Sequence, residues 1–390
     1  MESPEFWADP ERFVAPVRAQ HPWLARFSQG LVVHGCQANK DLLADDENLH
    51  MGLDGVVDFY GLQDTSWADF MRGMLNSQRG LDHARIRKSV AHAFTVRSAK
   101  AMRPQMQRVI TSSLDEWAPK GAFDFAEFAA NFPVAVMCAV LGVSAEPIPR
   151  LRAALEAQLA ALTLDKAVTP DFLAGYDVMW EFADDLVRNR DECSLNPALL
   201  LDAMILARRE GNLDDQELRY LIMVLLFAGY DTSKNMLTML IHLLIDRPDV
   251  YARCAKDREY CRTVVEEEGL RHSTIATPFR QVLQEFDYGG IRFPKGALLA
   301  MATPLGGRDP QAFSDPMTFD PDRERESSHP AFGRGAHFCI GRYLARQQLE
   351  EGLHQIAGRL RTPRRDGPIT WRPFLGPWGL RELPIRFEAA

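Results

Sequence analysis

A mainly α-helical chain with small β-sheets at its edges is the fold class that three observations in the 390-residue sequence predict. Apolar residues recur three or four apart among charged ones through most of its length, the pattern of amphipathic helices packed on a shared core. One segment, beginning at Asp214 and ending at Ile245, is apolar enough to be buried and makes about 32 residues, or about 48 Å, of helix. Strand signals are few and confined to 30–34, 288–299 and 383–387.

The helical pattern covers 97–117, 127–141, 149–164, 169–190 and 196–209. The long helix has the clearest ends. Asp214 and Glu217 have the spacing of a capping box, and Asp246-Arg247-Pro248 stops the helix. Further helices are expected from Asp82 through Phe94 and from about Arg342, whereas Phe319 to His329 reads as a turn-rich connection. No repeat, low-complexity tract or long polar linker divides the chain, so residues 1–390 are read as one domain.

Composition narrows the function. Hydrophobic residues at 46% and charged residues at 25% are ordinary for a soluble globular protein. A net charge of -8, with no block of Lys and Arg to offset it, argues against nucleic acid as the partner. The segment Met1-Glu2-Ser3-Pro4-Glu5-Phe6-Trp7 has no basic stretch followed by an apolar one, and no apolar run is long enough to span a bilayer. Cys36, Cys138, Cys193, Cys254, Cys261 and Cys339 lack paired spacing, which fits reduced thiols. A cytoplasmic, monomeric protein without membrane contact is expected.

The most informative stretch is Phe332-Gly333-Arg334-Gly335-Ala336-His337-Phe338-Cys339-Ile340-Gly341, a glycine-rich loop running into a helix. A thiolate at the N-terminal end of a helix, with backbone N–H groups aimed at it, keeps its charge and makes a strong axial ligand for haem iron. Phe332 would shield the sulfur, Gly333, Gly335 and Gly341 would allow close approach, and His337 lies within reach of a propionate. Two plainer readings of Cys339 are a small buried hydrophobe and a zinc ligand, the second lacking any C-x-x-C or H-x-x-x-H companion.

Inside the long helix, Ala228-Gly229-Tyr230-Asp231-Thr232-Ser233 places a glycine, a carboxylate and a hydroxyl among apolar residues. Thr232 can back-bond to the carbonyl of Ala228, bending the helix and opening a groove beside Gly229 wide enough for dioxygen, with Asp231 behind it to pass protons. The alternative is an ordinary kink with a salt-bridged Asp. Glu268 and Arg271, at i and i+3, read on local evidence as a surface ion pair. His83 and Arg87, one turn apart on a helix face, suit either a carboxylate of a cofactor or a basic surface stripe.

Taken in order, H-x-x-x-R, A-G-x-D-T-S, E-x-x-R and F-G-x-G-x-H-x-C-x-G, spanning Asp82 to Arg346, resemble the motifs of the cytochrome P-450 monooxygenases. The resemblance implies the soluble bacterial class, a triangular α-rich domain with haem b between the long helix and the cysteine loop. It makes Cys339 the axial ligand, with Ala228, Gly229, Phe332, Gly333 and Gly341 against the haem. His83, Arg87, Arg280 and His337 are assigned to the propionates, Thr232 and Asp231 to proton delivery, and Glu268, Arg271 and Arg323 to a structural network. The implied reaction inserts one oxygen atom of dioxygen into a C–H or C=C bond of a small, mostly apolar substrate. Electrons would come from NAD(P)H through a reductase and a ferredoxin, docking where Arg85, Lys88, Arg334, Arg342 and Arg346 gather.

Family position puts Met71, Met74, Val224, Phe227, Ala228, Ile275, Ala276, and Leu375 to Trp378, around the substrate. Phe59, Tyr60, Trp67 and Phe70 would join Met71 and Met74 in a lid, unless they pack the core. Gly269 and Ser273 to Pro278 depart from the family pattern without touching the chemistry. A haem-thiolate peroxygenase or isomerase and a non-enzymatic haem sensor are the rival readings, and the acid-alcohol pair counts against both.

Overall fold

The central helix, Asp215–Ile245, begins as its capping box requires: Asp214 accepts from the N–H groups of Gln216 and Glu217, and Glu217 accepts from that of Asp214. A computed structural model describes residues 1–51, 53–191, 194–266, 274–324 and 328–389. From Tyr220 to Ile241 every residue of the helix is buried except Ala228, Gly229 and Thr232. These lie at i, i+1 and i+4, so one side of the helix opens at one level only.

Phe125–Leu141 lies along this helix, and the two approach closely because a Cβ on Gly229 would come within 2.7 Å of the Met137 side chain. Arg103–Trp117 and Arg342–Arg359 pack beyond and below it, and Ile148–Ala160 with Thr169–Asp191 forms a pair on another side. A hydrophobic core runs through all of them, from Phe6 to Phe387. A smaller one underlies a five-stranded sheet ordered Leu24–Phe27, Gly30–Val33, Leu298–Met301, Phe279–Val282, Leu49–His50. Gly30–Val33 pairs parallel with Leu298–Met301, and the other pairings are antiparallel.

Several expected boundaries move for local reasons. The helix read over 97–117 is two, Val96–Ala101 and Arg103–Trp117, because Pro104 lacks an N–H and disfavours continuation through Met102. The one read over 149–164 stops at Ala160 and tightens into a 3-10 turn before Leu164, whose φ is 57°. That read over 196–209 starts at Leu200, since the Asn196 side chain accepts from Ala198 N–H and holds a turn. The strand region 288–299 is a hairpin, Phe286–Tyr288 with Ile291–Phe293, turned at Gly289 and Gly290, both at positive φ, and then the separate strand Leu298–Met301. The C-terminal strand, Pro384–Ala389, lies between Ala122–Asp124 and Leu360–Arg365.

Two histidines, His34 buried and His242 half-buried, give the fold an acid limit. Burial pushes His34 and His242 down to about 4, with Arg18 beside the first and Arg365 beside the second adding to the effect and Asp309 and Asp246 opposing it. An unfolded histidine titrates at about 6.5. Between these values the unfolded chain binds more protons than the folded one, so stability is full above about pH 6.5 and is lost as pH falls toward about 4. His242 abuts the Trp371 ring at 5.7 Å. A His242→Gln variant is expected to flatten the fall of the unfolding free energy, read from urea titrations, by up to about 1.4 kcal/mol per pH unit; an unchanged slope would show that His242 titrates normally.

Candidate active site

The cysteine loop owes its shape to Gly333 and Gly335, at φ 72° and 69°, and a Cβ on Gly335 would also meet Ala44 Cα at 2.9 Å. Cys339 N–H donates to Phe332 O at 2.9 Å, closing the loop, and Arg342–Arg359 starts three residues later. Burial pushes the Cys339 thiol up, while the Gly341 N–H aimed at the sulfur and the charges of Arg87, Arg342 and Arg346 pull it back down. Arg342 donates to Cys339 O at 3.1 Å, and Arg87 to Phe338 O at 2.5 Å. Phe332 lies under the Arg346 guanidinium, 4.4 Å from its ring centre.

Beside this loop is a group of basic side chains, His83 and Arg280 buried and Arg87 and His337 half-buried, with almost no anion among it. The His83 and His337 rings are 4.4 Å apart, and His83 Nε2 is buried without a hydrogen-bond partner. Arg280, 4% exposed, donates from its side chain to Phe279 O. Burial pushes Arg280 down to about 10, and burial together with His83, Arg280, His50 and Arg87 pushes His337 down to about 3. Asp46 is the carboxylate that acts on both His83 and Arg280. Negative charge brought to this set would stabilise both guanidinium groups and accept from the ring N–H groups of the histidines. The two propionates of a haem supply that charge, so the residues present fit the group. Removing one charged donor should speed haem loss about tenfold. Transfer of haem from Arg280→Ala to apomyoglobin at the parent's rate would overturn the assignment.

The segment from Thr274 to Arg280 connects this cluster to the open level of the central helix. Thr274 Oγ1 donates to Thr232 O at 3.1 Å, and six residues later Arg280 reaches the histidines. Thr232 Oγ1 donates to Ala228 O at 2.8 Å, the back-bond expected of it. The missing side chain of Gly229 makes room for Met137, whose side chain a Cβ there would meet at 2.7 Å. Asp231, fully buried, differs from a free acid: Arg372 Nη1 donates to its two oxygens at 2.7 and 2.9 Å, and Asn235 Nδ2 donates at 2.7 Å. No sequence motif contains Arg372 or Thr274, and neither was singled out from sequence.

Other expected residues separate into groups. Glu268 and Arg271 lie outside the described residues, so their network with Arg323 is not described; Arg323 itself donates to the carbonyls of Ser314, Asp315 and Thr318 and ties the preceding loop. Two of the five docking cations are already engaged, Arg85 with Glu217 and Asp82, and Arg346 with Glu266. Arg342 lies over the Phe338 and Tyr343 rings, Arg334 bonds Ser328, and Lys88 is exposed. Among the pocket residues, Met71, Met74, Val224, Phe227, Ala276 and Leu375 are buried and Ile275 half-buried.

Trp378 belongs to the core: it stacks on Trp371 and donates from Nε1 to Trp7 O. In the expected lid, Trp67 and Phe70 are also core residues. Trp67 packs against Phe172 with its ring tilted by 32° and bonds Gln158, and Phe70 meets Tyr176 and Tyr220. Tyr60 donates to Ala161 O and lies edge-on to Phe59 and Trp67. Among the described residues no three His, Cys, Asp or Glu side chains gather to hold a metal ion.

A sulfur held at a helix start beside a cluster of basic side chains, near a long helix that opens at one level, fits a haem-thiolate site. The chain belongs to the cytochrome P450 family, whose model matches residues 176–362, and it is a haem-dependent monooxygenase. It is 35% identical to luteothin monooxygenase of Streptomyces thioluteus over 389 residues, covering 98% of this chain and 94% of that one. It is 31% identical to 6-deoxyerythronolide B hydroxylase of Saccharopolyspora erythraea over 312 residues, 78% of this chain and 76% of that one. Its fold matches the epothilone D-bound cytochrome P450epoK at a TM-score of 0.89 and 23% identity, covering 100% of this chain and 98% of the other. No described helix is long and apolar enough to cross a membrane.

Proposed function

We propose that this single-domain monooxygenase oxidises a small, mostly apolar secondary metabolite, with Cys339 as the residue whose thiolate would hold the haem iron and the substrate at the level of Ala228. The observation that carries this reading is the opening of the central helix at Ala228 and Thr232, flanked by buried apolar side chains such as Val224 and Phe227. The monooxygenase and hydroxylase named above, whose names refer to luteothin and 6-deoxyerythronolide B, support a secondary metabolite as substrate.

Bound haem supplies the iron at which dioxygen is activated, the thiolate's electron density favouring O–O cleavage. The chain's own residues do the rest. Gly341 N–H and the nearby guanidinium groups favour the anionic form of the Cys339 sulfur, against the burial that opposes it. His83, Arg87, Arg280 and His337 orient the cofactor through its carboxylates. Thr232 presents its hydroxyl at the open level, and Asp231, one residue before it, is the carboxylate through which protons are relayed to it. Apolar walls exclude water and supply most of the substrate's affinity. Electrons arrive from NAD(P)H through a reductase and a ferredoxin in the cytoplasm, the ferredoxin meeting a monomer at Arg342, Arg334 and Lys88. A peroxygenase would have no use for the Thr232 and Asp231 pair.

The test is turnover with reductase, ferredoxin and NADH of compounds that first shift the haem from low to high spin. Ala228→Leu is expected to abolish that shift for bulky ligands while imidazole still reaches the iron. Equal binding of both classes by the variant would displace the pocket from this level of the helix.

A further inference from the structure

The carbonyl of Thr232 lies within the continuous helix, where the N–H of Met236 is its ladder partner, and it takes an additional bond from the Thr274 hydroxyl at 3.1 Å. Thr274 is 5% exposed and is itself anchored, since its carbonyl accepts the Trp378 N–H at 2.8 Å. Two further links tie the same segments: Ala276 N–H donates to Gly376 O at 3.0 Å, and Gly376 N–H to Thr277 Oγ1 at 2.8 Å. The C-terminal segment is a folded-back unit in which Arg372 N–H donates to Gly379 O at 2.9 Å. Arg372 in turn grips Asp231. Both members of the acid-alcohol pair are therefore held by one element, Asp231 directly by 371–380 and Thr232 through Thr274, which that element anchors.

We propose that Thr274 is a positioning residue for proton delivery, holding the Thr232 backbone so that its hydroxyl stays on the Ala228 carbonyl and faces the open level of the helix. A carbonyl drawn outward by a side-chain donor loosens its own ladder bond, and the local helix geometry then depends on that donor. The Thr232 hydroxyl, already donating to Ala228 O at 2.8 Å, has its lone pairs left to meet a proton donor at the opening. Without the bond from Thr274, the helix relaxes toward regular geometry and the hydroxyl moves from the position where it directs a proton. Thr274 acts through Thr232 and touches no reacting atom. The inference rests on the role given to Thr232 above.

The experiment compares the haem-loaded parent with Thr274→Val, Thr274→Ser, Thr232→Ala and the double variant Thr232→Ala/Thr274→Val. In Thr274→Val the ratio of peroxide released to product formed is expected to rise about fivefold, the factor that one hydrogen bond's net worth permits. Thr274→Ser, which keeps the hydroxyl, should behave as the parent, and the double variant should be no worse than Thr232→Ala alone. Amide hydrogen exchange over residues 232–240, read without turnover, should change in Thr274→Val and not in Thr274→Ser. Parent-like exchange and coupling in Thr274→Val would overturn the proposal, as would a peroxide increase that adds in full to that of Thr232→Ala. Should Thr232→Ala itself couple as well as the parent, the role of Thr232 falls and this inference with it. An uncoupled Thr232→Ala beside a fully coupled Thr274→Val overturns this inference alone.

Discussion

Cys339→Ser is expected to lose the red-shifted Soret band of the reduced carbonyl complex together with all NADH-supported turnover. An alkoxide is far harder to form than a thiolate, so serine supplies neither the negative charge nor the electron donation that a sulfur ligand gives. The surroundings cannot compensate. Gly341 N–H and the charges of Arg87, Arg342 and Arg346 are arranged to stabilise an anion on sulfur, and facing a neutral hydroxyl they stabilise nothing. Carbon monoxide difference spectra of the reduced variant decide the matter: a retained thiolate band would mean that another cysteine ligates the iron. Among the described residues the other cysteines, Cys36, Cys138, Cys254 and Cys261, are all buried. Loss of fold would be a poor explanation for a changed spectrum, since the Cys339 backbone bond to Phe332 O does not involve the side chain.

Arg372→Ala should be the most destabilising change of a single charged residue near the site, at about 3–5 kcal/mol. Asp231 is 0% exposed and takes two of its hydrogen bonds from Arg372, so truncation leaves a buried carboxylate with Asn235 Nδ2 alone. The cost arises from the stranded charge rather than from the lost attraction. Adding Asp231→Asn to Arg372→Ala should therefore recover most of the stability while leaving turnover slow, because the carboxylate that relays protons is gone. Urea unfolding at matched haem occupancy reads the first effect. If Arg372→Ala unfolds at the parent's midpoint, Asp231 is hydrated or already neutral, and its burial in an ion pair is not what holds the C-terminal segment to the helix.

What the sequence determined by itself is what depends on neighbours within about one helical turn. The capping box of Asp214 and Glu217, the Thr232 back-bond to Ala228, the left-handed glycines of the cysteine loop and the pairing of His83 with Arg87 on one helix face all form from adjacent residues through local sterics and short-range hydrogen bonds. The cysteine loop was legible for the same reason. Its function resides in ten consecutive residues and the helix they open.

Only tertiary packing decided which charges met. Arg372 reaches Asp231 across 141 positions, Arg85 reaches Glu217 across 132, and Arg346 reaches Glu266 across 80. Nothing within a few residues of these arginines specifies a partner, and that is why two of them read as a free basic face and the third was not noticed. The strands Leu49–His50 and Ala122–Asp124 were invisible likewise, because two or three residues show no alternation and their hydrogen bonds come from distant segments. The lid aromatics were ambiguous on different grounds. Burial of apolar area has no direction, so the same Trp67 and Phe70 suit a substrate or a neighbouring helix equally well. It was the arrival of Phe172, Tyr176 and Tyr220 that made them core.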